Sequence, residues 1–277
     1  MNLEQQLSVK NDCYQSNVDK VDNRYTTFQT RGPLGIMLHS VGCSQPKAQV
    51  FADAWNQAGK ETAVHAVLEP DRVIQCLPWN FRGWHSGGDS NNTHIGVEMT
   101  EPATIRYTCG AEWEECDSTC TKAHVLDTYK TAVELFACLC KEYKLDPMKS
   151  GVIISHYEGS KAGIASNHSD PEHIWNEYGL TMDQFRQDIK ATMEGSVPAL
   201  QSPPTISASS VFQPYVVRVT HDELKIRSGP GTNYDRIGEI TDRGLYTIVE
   251  ESSGLGATRW GRLQSGMGWI SLDYTSR

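Results

Sequence analysis

The sequence has no hydrophobic run long enough to cross a bilayer. Nowhere in its 277 residues is there a stretch of about 18 consecutive apolar residues, which a membrane-spanning helix needs. The beginning, MNLEQQLSVKNDCYQSN, also lacks the basic and apolar regions of a secretory signal peptide. We therefore expect a chain that is synthesised in the cytoplasm, has no membrane partner and reaches any outside target by a separate route.

Positive charge is also scarce. The 25 Lys and Arg residues are outnumbered by 34 Asp and Glu residues, which gives a net charge of −9 and a pI near 5.5. Nucleic acids and anionic lipids attract basic surfaces, so neither is expected as the main partner. Hydrophobic residues make up 38% of the chain, which is enough for a folded core.

The eight cysteines include no CxxC pair, the spacing typical of a structural zinc site. Cys109, Cys116 and Cys120 lie close together in sequence and leave a zinc knuckle open, although ordinary reduced cysteines are favoured. Cys138 and Cys140 fall within a helical pattern, where cysteine usually behaves as a small buried apolar residue.

A change in composition divides the chain. The stretch GSVPALQSPPTISASSVFQP, residues 195–214, has four prolines and little charge, as expected of an extended linker. A helix is predicted just before it, over 181–193, with Thr181 as N-cap and Gln184 closing a capping box. The predicted organisation is a catalytic domain at 1–193, a linker at 194–213 and a second domain at 214–277.

The first domain alternates between strand-like and helix-like segments, which predicts an α/β layer architecture. Segment 102–123 is polar and carries cysteines, and it is interpreted as an insertion loop. The predicted strands are 35–42, a hairpin over 62–79, 94–100 and 150–156, and the predicted helices are 45–59 and 123–145. From residue 216 onward, short strands broken by SGPG, DRG and QSGMG predict a small all-β barrel.

Candidate metal ligands follow two apolar strands. His39 comes after GIML and His156 after GVIIS, and the segment NHSDPEHIW at 167–175 adds His168 and Asp170. Two histidines and a carboxylate with an open fourth position are typical of a hydrolytic zinc site. The alternative is that these are satisfied or solvated histidines beside a polar loop, and the pattern alone leaves open whether His168 or Asp170 faces the metal.

Glu98 is a carboxylate inside the otherwise apolar strand HIGVEM. It is either an outward-facing residue of an alternating strand or a general base whose pKa is raised in a partly dry site. Such a base beside zinc, with a hydrogen-bond donor for the oxyanion, is able to hydrolyse an amide.

Five blocks in order resemble the zinc-dependent N-acetylmuramoyl-L-alanine amidases of type 2, which include phage endolysins and are related to peptidoglycan recognition proteins. The blocks are GIMLHS, WNFRGWHSGG, NNTHIGVEM, VIISHYEG and GIASNHSDPEHIW. The resemblance implies a mixed central sheet with flanking helices. It also implies cleavage of the amide bond between the lactyl group of N-acetylmuramic acid and the first L-alanine of the stem peptide.

The resemblance further implies one zinc ion bound by His39, His156 and Asp170, with Glu98 as the catalytic glutamate. His168 stands where the family often has a lysine that stabilises the oxyanion. An imidazole serves there only as a donor, so activity is expected to fall at high pH. The position of His85 implies a role in lining the substrate groove, and Trp79 and Trp84 are candidates for stacking on sugar rings.

The segment from about 215 to 277 resembles bacterial Src-homology-3-like modules that bind cell walls, through LKIRSGPGTNYDRIGEI and WGRLQSGMGWISLDY. Tyr234, Trp260 and Trp269 are candidate wall-binding residues. The resemblance therefore implies a peptidoglycan hydrolase that acts on the wall after release, and the missing signal peptide fits a phage lysin. The alternatives are a peptidoglycan sensor without turnover and a zinc endopeptidase of the stem peptide.

Overall fold

In the computed structural model, which describes residues 1–195, 214–232 and 234–276, the chain forms two units, Met1–Pro204 and Thr205–Arg277. All of the predicted linker at 194–213 except its first two residues lies outside the described residues.

A six-stranded sheet forms the centre of the first unit, in the order β1-β4-β3-β5-β2-β8. Only β3 and β4 pair antiparallel, as the predicted hairpin, and the other neighbouring strands run parallel. The α/β class with a mixed sheet is therefore confirmed. The strands are β1 Asn2–Gln5, β2 Gly35–Ser40, β3 Ala66–Glu69, β4 Arg72–Gln75, β5 His94–Met99, β6 Ile105–Cys109, β7 Glu112–Glu115 and β8 Ile153–Ser155.

Helices cover both faces of this sheet, because its strands carry apolar residues on both sides. Val67 and Ile74 pack against α3, whereas Leu68 and Val73 belong to the main core with α4 and α7. Among the described residues, no helix has the length and apolar content that a bilayer span requires. The helices are α1 Asp12–Asp19, α2 Asn23–Arg31, α3 Ala48–Trp55, α4 Ser118–Tyr143, α5 His156–Lys161, α6 Glu172–Trp175 and α7 Met182–Met193.

The prediction of a loop at 102–123 is wrong. This segment forms the hairpin of β6 and β7 and then the first residues of α4, which begins at Ser118. Tyr107 and Trp113 are register partners across the hairpin and pack against the core, and Trp113 Nε1 donates to the carbonyl of His173 at 3.1 Å. Two aromatic side chains thus anchor a hairpin that is otherwise polar.

The cysteines differ in burial. Cys140 is buried in the core as predicted, but Cys138 is exposed, because the two residues lie on different faces of α4. The side chains of Cys109, Cys116 and Cys120 are also exposed. Every cysteine is a free thiol in the structure.

The second unit is a seven-stranded antiparallel sheet in the order β11-β10-β14-β13-β12-β9-β15. Its core consists of aliphatic side chains such as Val217, Ile226, Ile248 and Ile270. The prediction of an all-β second unit is confirmed. The strands are β9 Tyr215–Val219, β10 Leu224–Arg227, β11 Arg236–Ile240, β12 Leu245–Gly254, β13 Ala257–Leu263, β14 Trp269–Ser271 and β15 Thr275–Ser276.

Tyr129→Phe should destabilise the first unit through a buried hydrogen bond between α4 and α7. Tyr129 is 1% exposed, and its hydroxyl donates to Asp188 Oδ2 at 2.7 Å. Without that donor the buried carboxylate of Asp188 keeps the hydrogen bond from Gln184 Nε2 at 2.9 Å but loses the one at Oδ2. The free energy of unfolding should therefore fall by about 1–3 kcal/mol. Denaturant unfolding measures the loss. The half-buried Tyr143 supplies the control Tyr143→Phe, and an equal loss there would contradict this account.

Candidate metal centre

The three predicted metal ligands meet at the carboxyl ends of two neighbouring parallel strands. His39 lies near the end of β2, and His156 begins α5 directly after β8. Their Nδ1 atoms are 2.9 Å apart. Asp170 places Oδ2 3.5 Å from His39 Nδ1 and Oδ1 3.6 Å from His156 Nδ1. Within the described residues, this is the one group of three or more potential ligands with such geometry.

The donor set fits zinc in chemistry and spacing. Tetrahedral zinc with bonds of about 2.0–2.1 Å to nitrogen and oxygen separates its ligand atoms by about 3.3 Å. The two Nδ1 atoms here are 2.9 Å apart, and each lies 3.5 or 3.6 Å from one oxygen of Asp170, a range that includes this value. All three residues are buried. Two imidazoles and one carboxylate leave a fourth position for water or substrate, as catalytic zinc sites require.

Local structure holds each ligand in place. Ser155 caps α5 with a capping box, in which its hydroxyl accepts from the Glu158 N–H and Glu158 accepts from the Ser155 N–H. This cap ends β8 sharply and sets His156 at the first helical position. The Ser40 N–H donates to Asp170 Oδ2 at 3.2 Å, which ties the carboxylate to the end of β2.

Glu98 lies beside His39, its register partner across the parallel pair of β2 and β5. Val97 and Met99 point into the core, so the alternation of the strand turns Glu98 toward the cleft. Its Oε2 is buried without a hydrogen-bond partner among the described residues. Burial, followed by the charges of Asp170 and Glu101, raises the pKa of Glu98 well above its ordinary value. Such a carboxyl group is suited to exchanging a proton with a reacting group.

His168 lies next to the ligands on the exposed side. Its ring centroid is 4.3 Å from that of His156, and its Nδ1 is 3.0 Å from Ser166 Oγ. The side chain is exposed and lines the cleft.

These residues open into a cleft of about 840 Å³. His85 lines the cleft, as predicted for the groove, but the structure places Trp79 and Trp84 elsewhere. Trp79 packs against the main core and stacks on His65, while Trp84 donates from Nε1 to the Tyr25 hydroxyl at 3.0 Å. Trp79 is thus used in packing on the main core, and Trp84 packs against a smaller cluster that contains Ala63 and Leu77.

The aromatic lining comes instead from residues that sequence reasoning missed. Phe51 and Trp55, four residues apart on α3, form one wall with ring centroids 5.4 Å apart. Tyr107, Gly110 and Ala111 of the β6–β7 hairpin also line the cleft. The i, i+4 spacing on α3 had the appearance of a core-facing stripe, so the sequence carried no distinct signal for this wall.

Glu101 is a second residue that sequence reasoning missed. It is 2% exposed and accepts hydrogen bonds from the Ser40 hydroxyl at 2.7 Å, the Gly42 N–H at 3.0 Å and the Tyr107 hydroxyl at 2.8 Å. The Tyr107 hydroxyl also lies 2.6 Å from His173 Nε2. Glu101 therefore joins the end of β2 to the hairpin. A carboxylate directly after the strand that carries Glu98 was the available signal.

The candidate wall-binding residues of the second unit differ in exposure. Tyr234 is 43% exposed and Trp269 is half-buried, but Trp260 is only 3% exposed. Trp260 forms part of the wall of a cavity of about 360 Å³, together with His221 and Tyr274.

A comparison with protein families identifies the first unit. The profile described as N-acetylmuramoyl-L-alanine amidase matches residues 29–173, just over half of the chain. The chain belongs to the N-acetylmuramoyl-L-alanine amidase family. The matched region of this amidase-family chain contains His39, Glu98, His156 and Asp170, and the resemblance of the first unit to N-acetylmuramoyl-L-alanine amidases is confirmed.

Two curated relatives align with this amidase-family chain. The bifunctional autolysin of Staphylococcus aureus (strain MSSA476) is 21% identical over 248 residues, which cover 85% of this chain and 18% of the autolysin. The N-acetylmuramoyl-L-alanine amidase XlyA of Bacillus subtilis (strain 168) is 30% identical over 89 residues, which cover 29% of this chain and 30% of XlyA. The chain thus spans less than a third of either relative.

A solved structure shares the fold. The crystal structure of the Staphylococcus aureus hydrolase AmiA in complex with its ligand matches with a TM-score of 0.52 at 18% identity, covering 72% of this chain and 88% of that chain.

His65→Gln should reduce the pH dependence of stability. His65 is fully buried, donates from Nε2 to the Phe81 carbonyl and accepts from the Gly96 N–H, and burial lowers its pKa to about 4. Between pH 6.5 and 4 the unfolded chain binds a proton that the folded chain does not. Lowering the pH through this range therefore reduces the free energy of unfolding by up to about 3 kcal/mol.

Denaturant unfolding at pH 7 and pH 4 measures this effect. The difference between the two values should shrink by most of that amount in His65→Gln. His221→Gln, at an exposed histidine of the second unit, is the control. An unchanged difference in His65→Gln would contradict the assignment.

Proposed function

We propose that this chain is a peptidoglycan amidase that hydrolyses the bond between the lactyl group of N-acetylmuramic acid and the L-alanine of the stem peptide, with one zinc ion bound by His39, His156 and Asp170. The observation that carries the proposal is Glu98, whose buried Oε2 has no partner among the described residues, beside two imidazole nitrogens 2.9 Å apart that both face the Asp170 carboxylate. Membership of the amidase family supports the choice of bond.

When bound, zinc lowers the pKa of water to about 7 and polarises a carbonyl group. In this proposal Glu98 takes the proton of the attacking water and passes it to the leaving nitrogen of the alanine. Burial and the neighbouring charges of Asp170 and Glu101 raise its pKa, which makes the carboxylate a stronger base for the first transfer, and the carboxyl group then returns the proton in the second.

His168 is proposed to stabilise the oxyanion. Its exposed ring stands at the mouth of the ligand cluster, and Nδ1 is held by Ser166 Oγ, which leaves Nε2 to face the substrate. In its doubly protonated form the ring donates from Nδ1 to Ser166 Oγ and from Nε2 to the substrate, where it stabilises the charge that develops on the carbonyl oxygen in the transition state.

The cleft supplies binding surfaces of two kinds. The Phe51 and Trp55 rings offer apolar faces suited to the sugar ring, and His85 lines the cleft next to His39. The hairpin residues Gly110 and Ala111 also line the cleft, and their backbone groups are suited to an extended peptide. Trp79 and Trp84 take no part in substrate binding in this proposal, because they pack away from the cleft.

The second unit, over 214–277, is proposed to bind the cell wall and to act as a Src-homology-3-like module. Tyr234 and Trp269 provide the accessible aromatic surface, and Trp260 contributes as a wall of the neighbouring cavity. Tethering raises the local concentration of the catalytic unit at the polymer. The target is peptidoglycan, reached after release from the cell that makes the enzyme.

Mass spectrometry of the soluble products of purified peptidoglycan tests the reaction. We expect free stem peptides that begin with alanine, abolished by a chelator and restored by zinc. Peptides cut within the stem would indicate an endopeptidase instead. Intact polymer that nevertheless retains the protein would indicate a sensor and would overturn catalysis.

Two substitutions should separate metal binding from proton transfer. Asp170→Ala removes a ligand, so zinc content and activity should be lost together. Glu98→Gln leaves the ligands intact, so zinc content should persist while turnover falls by about 10²- to 10⁴-fold. Metal analysis of the purified variants and hydrolysis of soluble fragments measure both effects. Glu142→Gln, on the exposed side of α4, is the control, and full activity of Glu98→Gln would remove this residue from the mechanism.

Ending the chain after Gly195 should separate wall binding from catalysis. Retention on intact walls should fall by roughly tenfold or more, while hydrolysis of soluble fragments continues at the rate of the full chain. Co-sedimentation with insoluble walls measures retention. Equal retention of the shortened chain would contradict the targeting role.

A further inference from the structure

Nε2 of His39, the ring nitrogen that does not face the other ligands, is part of a hydrogen-bond chain that ends at the backbone. His39 Nε2 lies 2.9 Å from His85 Nδ1, and His85 Nε2 lies 3.1 Å from the carbonyl oxygen of His94. A carbonyl oxygen only accepts, so His85 carries its proton on Nε2. A neutral imidazole carries one proton, so with Nε2 donating to this carbonyl, Nδ1 of His85 has a lone pair and accepts from His39 Nε2. His39 is therefore protonated on Nε2.

Nε2 of His156 is part of a similar hydrogen-bond chain. It lies 3.1 Å from Ser166 Oγ, which is also 3.0 Å from the carbonyl oxygen of Ser86 and 3.0 Å from His168 Nδ1. A hydroxyl group has one proton and two lone pairs. Ser166 donates its one hydroxyl proton to the carbonyl oxygen of Ser86, which only accepts, so both imidazoles donate to the serine oxygen. His156 is therefore protonated on Nε2, like His39.

Both chains leave Nδ1 unprotonated on the side where the ligands converge. The Nδ1 atoms of His39 and His156 are 2.9 Å apart and face the Asp170 carboxylate. A histidine ligand must present a lone pair to its metal, and the hydrogen bond at the other nitrogen decides which tautomer is present.

Glycines make room for both supporting side chains. A Cβ atom at Gly96, in the middle of β5, would lie 2.3 Å from the ring of His85. A Cβ atom at Gly87 would lie 3.0 Å from the side chain of Ser166, and the φ of +66° at Gly87 also favours glycine. The positions of His85 and Ser166 therefore depend on the absence of a side chain at Gly96 and Gly87.

We propose that His85 and Ser166 are positioning residues that hold His39 and His156 as Nε2–H tautomers, with both Nδ1 atoms free to bind the metal. The inference rests on the proposed zinc site. In this role His85 orients the metal ligand His39 through a hydrogen bond, which differs from contacting substrate in the groove.

The tautomers are measurable in the unaltered protein. Long-range ¹H–¹⁵N correlation spectra of the zinc-free full chain should show the proton on Nε2 in both His39 and His156. A proton on Nδ1 of His39 would overturn the role of His85, and a proton on Nδ1 of His156 would overturn that of Ser166. This measurement requires no substitution, so it does not depend on whether a variant folds.

Zinc affinity tests the consequence. His85→Leu removes the acceptor for the His39 proton, and Ser166→Ala removes the acceptor for the His156 proton. Each should raise the zinc dissociation constant by about 10- to 100-fold. His85→Asn keeps a carbonyl acceptor near the position of Nδ1 and should recover much of the loss. Gly96→Ala, which displaces the His85 ring, should weaken binding as His85→Leu does.

Competition with a chromophoric chelator at one fixed pH measures these constants in the full chain. His124→Leu is the matched control, because His124 is a half-buried histidine that bonds to the Thr100 carbonyl. Values for His85→Leu and Ser166→Ala within about twofold of the unaltered protein would overturn the proposal. If the unaltered protein itself binds no zinc, the proposed zinc site fails, and the tautomers are still decided by the spectra.

Discussion

The parallel pairing of β2 with β5 and β8 is the constraint on which the whole site depends. Parallel strands end at the same edge of a sheet, so the residues that close them meet although they are far apart in the chain. His39 thereby faces Glu98 on one side and His156 on the other. A shift of one residue in either register would turn a functional side chain into the core.

The polar groups around this edge are of two kinds. Those that support the ligands are satisfied, as with Glu101, which accepts three hydrogen bonds, and with His85 and Ser166, whose chains end at carbonyl groups. Glu98 has a buried oxygen without a partner. Glu172 Oε2 and His173 Nδ1 are likewise buried without a partner among the described residues. A buried carboxyl oxygen costs stability unless it is hydrogen-bonded, so its place beside the ligands is consistent with Glu98 being a residue whose partner arrives with the reaction.

The hairpin of β6 and β7 links the scaffold to the cleft. Its Tyr107 and Trp113 side chains pack inward and bond to Glu101 and the His173 carbonyl, while its tip at Gly110 and Ala111 lines the cleft. Two aromatic side chains thus hold an otherwise polar hairpin in place. The position of the hairpin tip in the cleft therefore depends on how Tyr107 and Trp113 pack on the core.

The sequence by itself determined the ligand types, their positions after apolar strands and the change to short strands after residue 216. These features follow from local periodicity and from the chemistry of His, Asp and Glu. Only the tertiary structure decided that Phe51 and Trp55, rather than Trp79 and Trp84, line the cleft, because the same aromatic spacing serves a core or a groove. It also decided the tautomers of His39 and His156, since these depend on contacts with His85 and Ser166 that only packing creates.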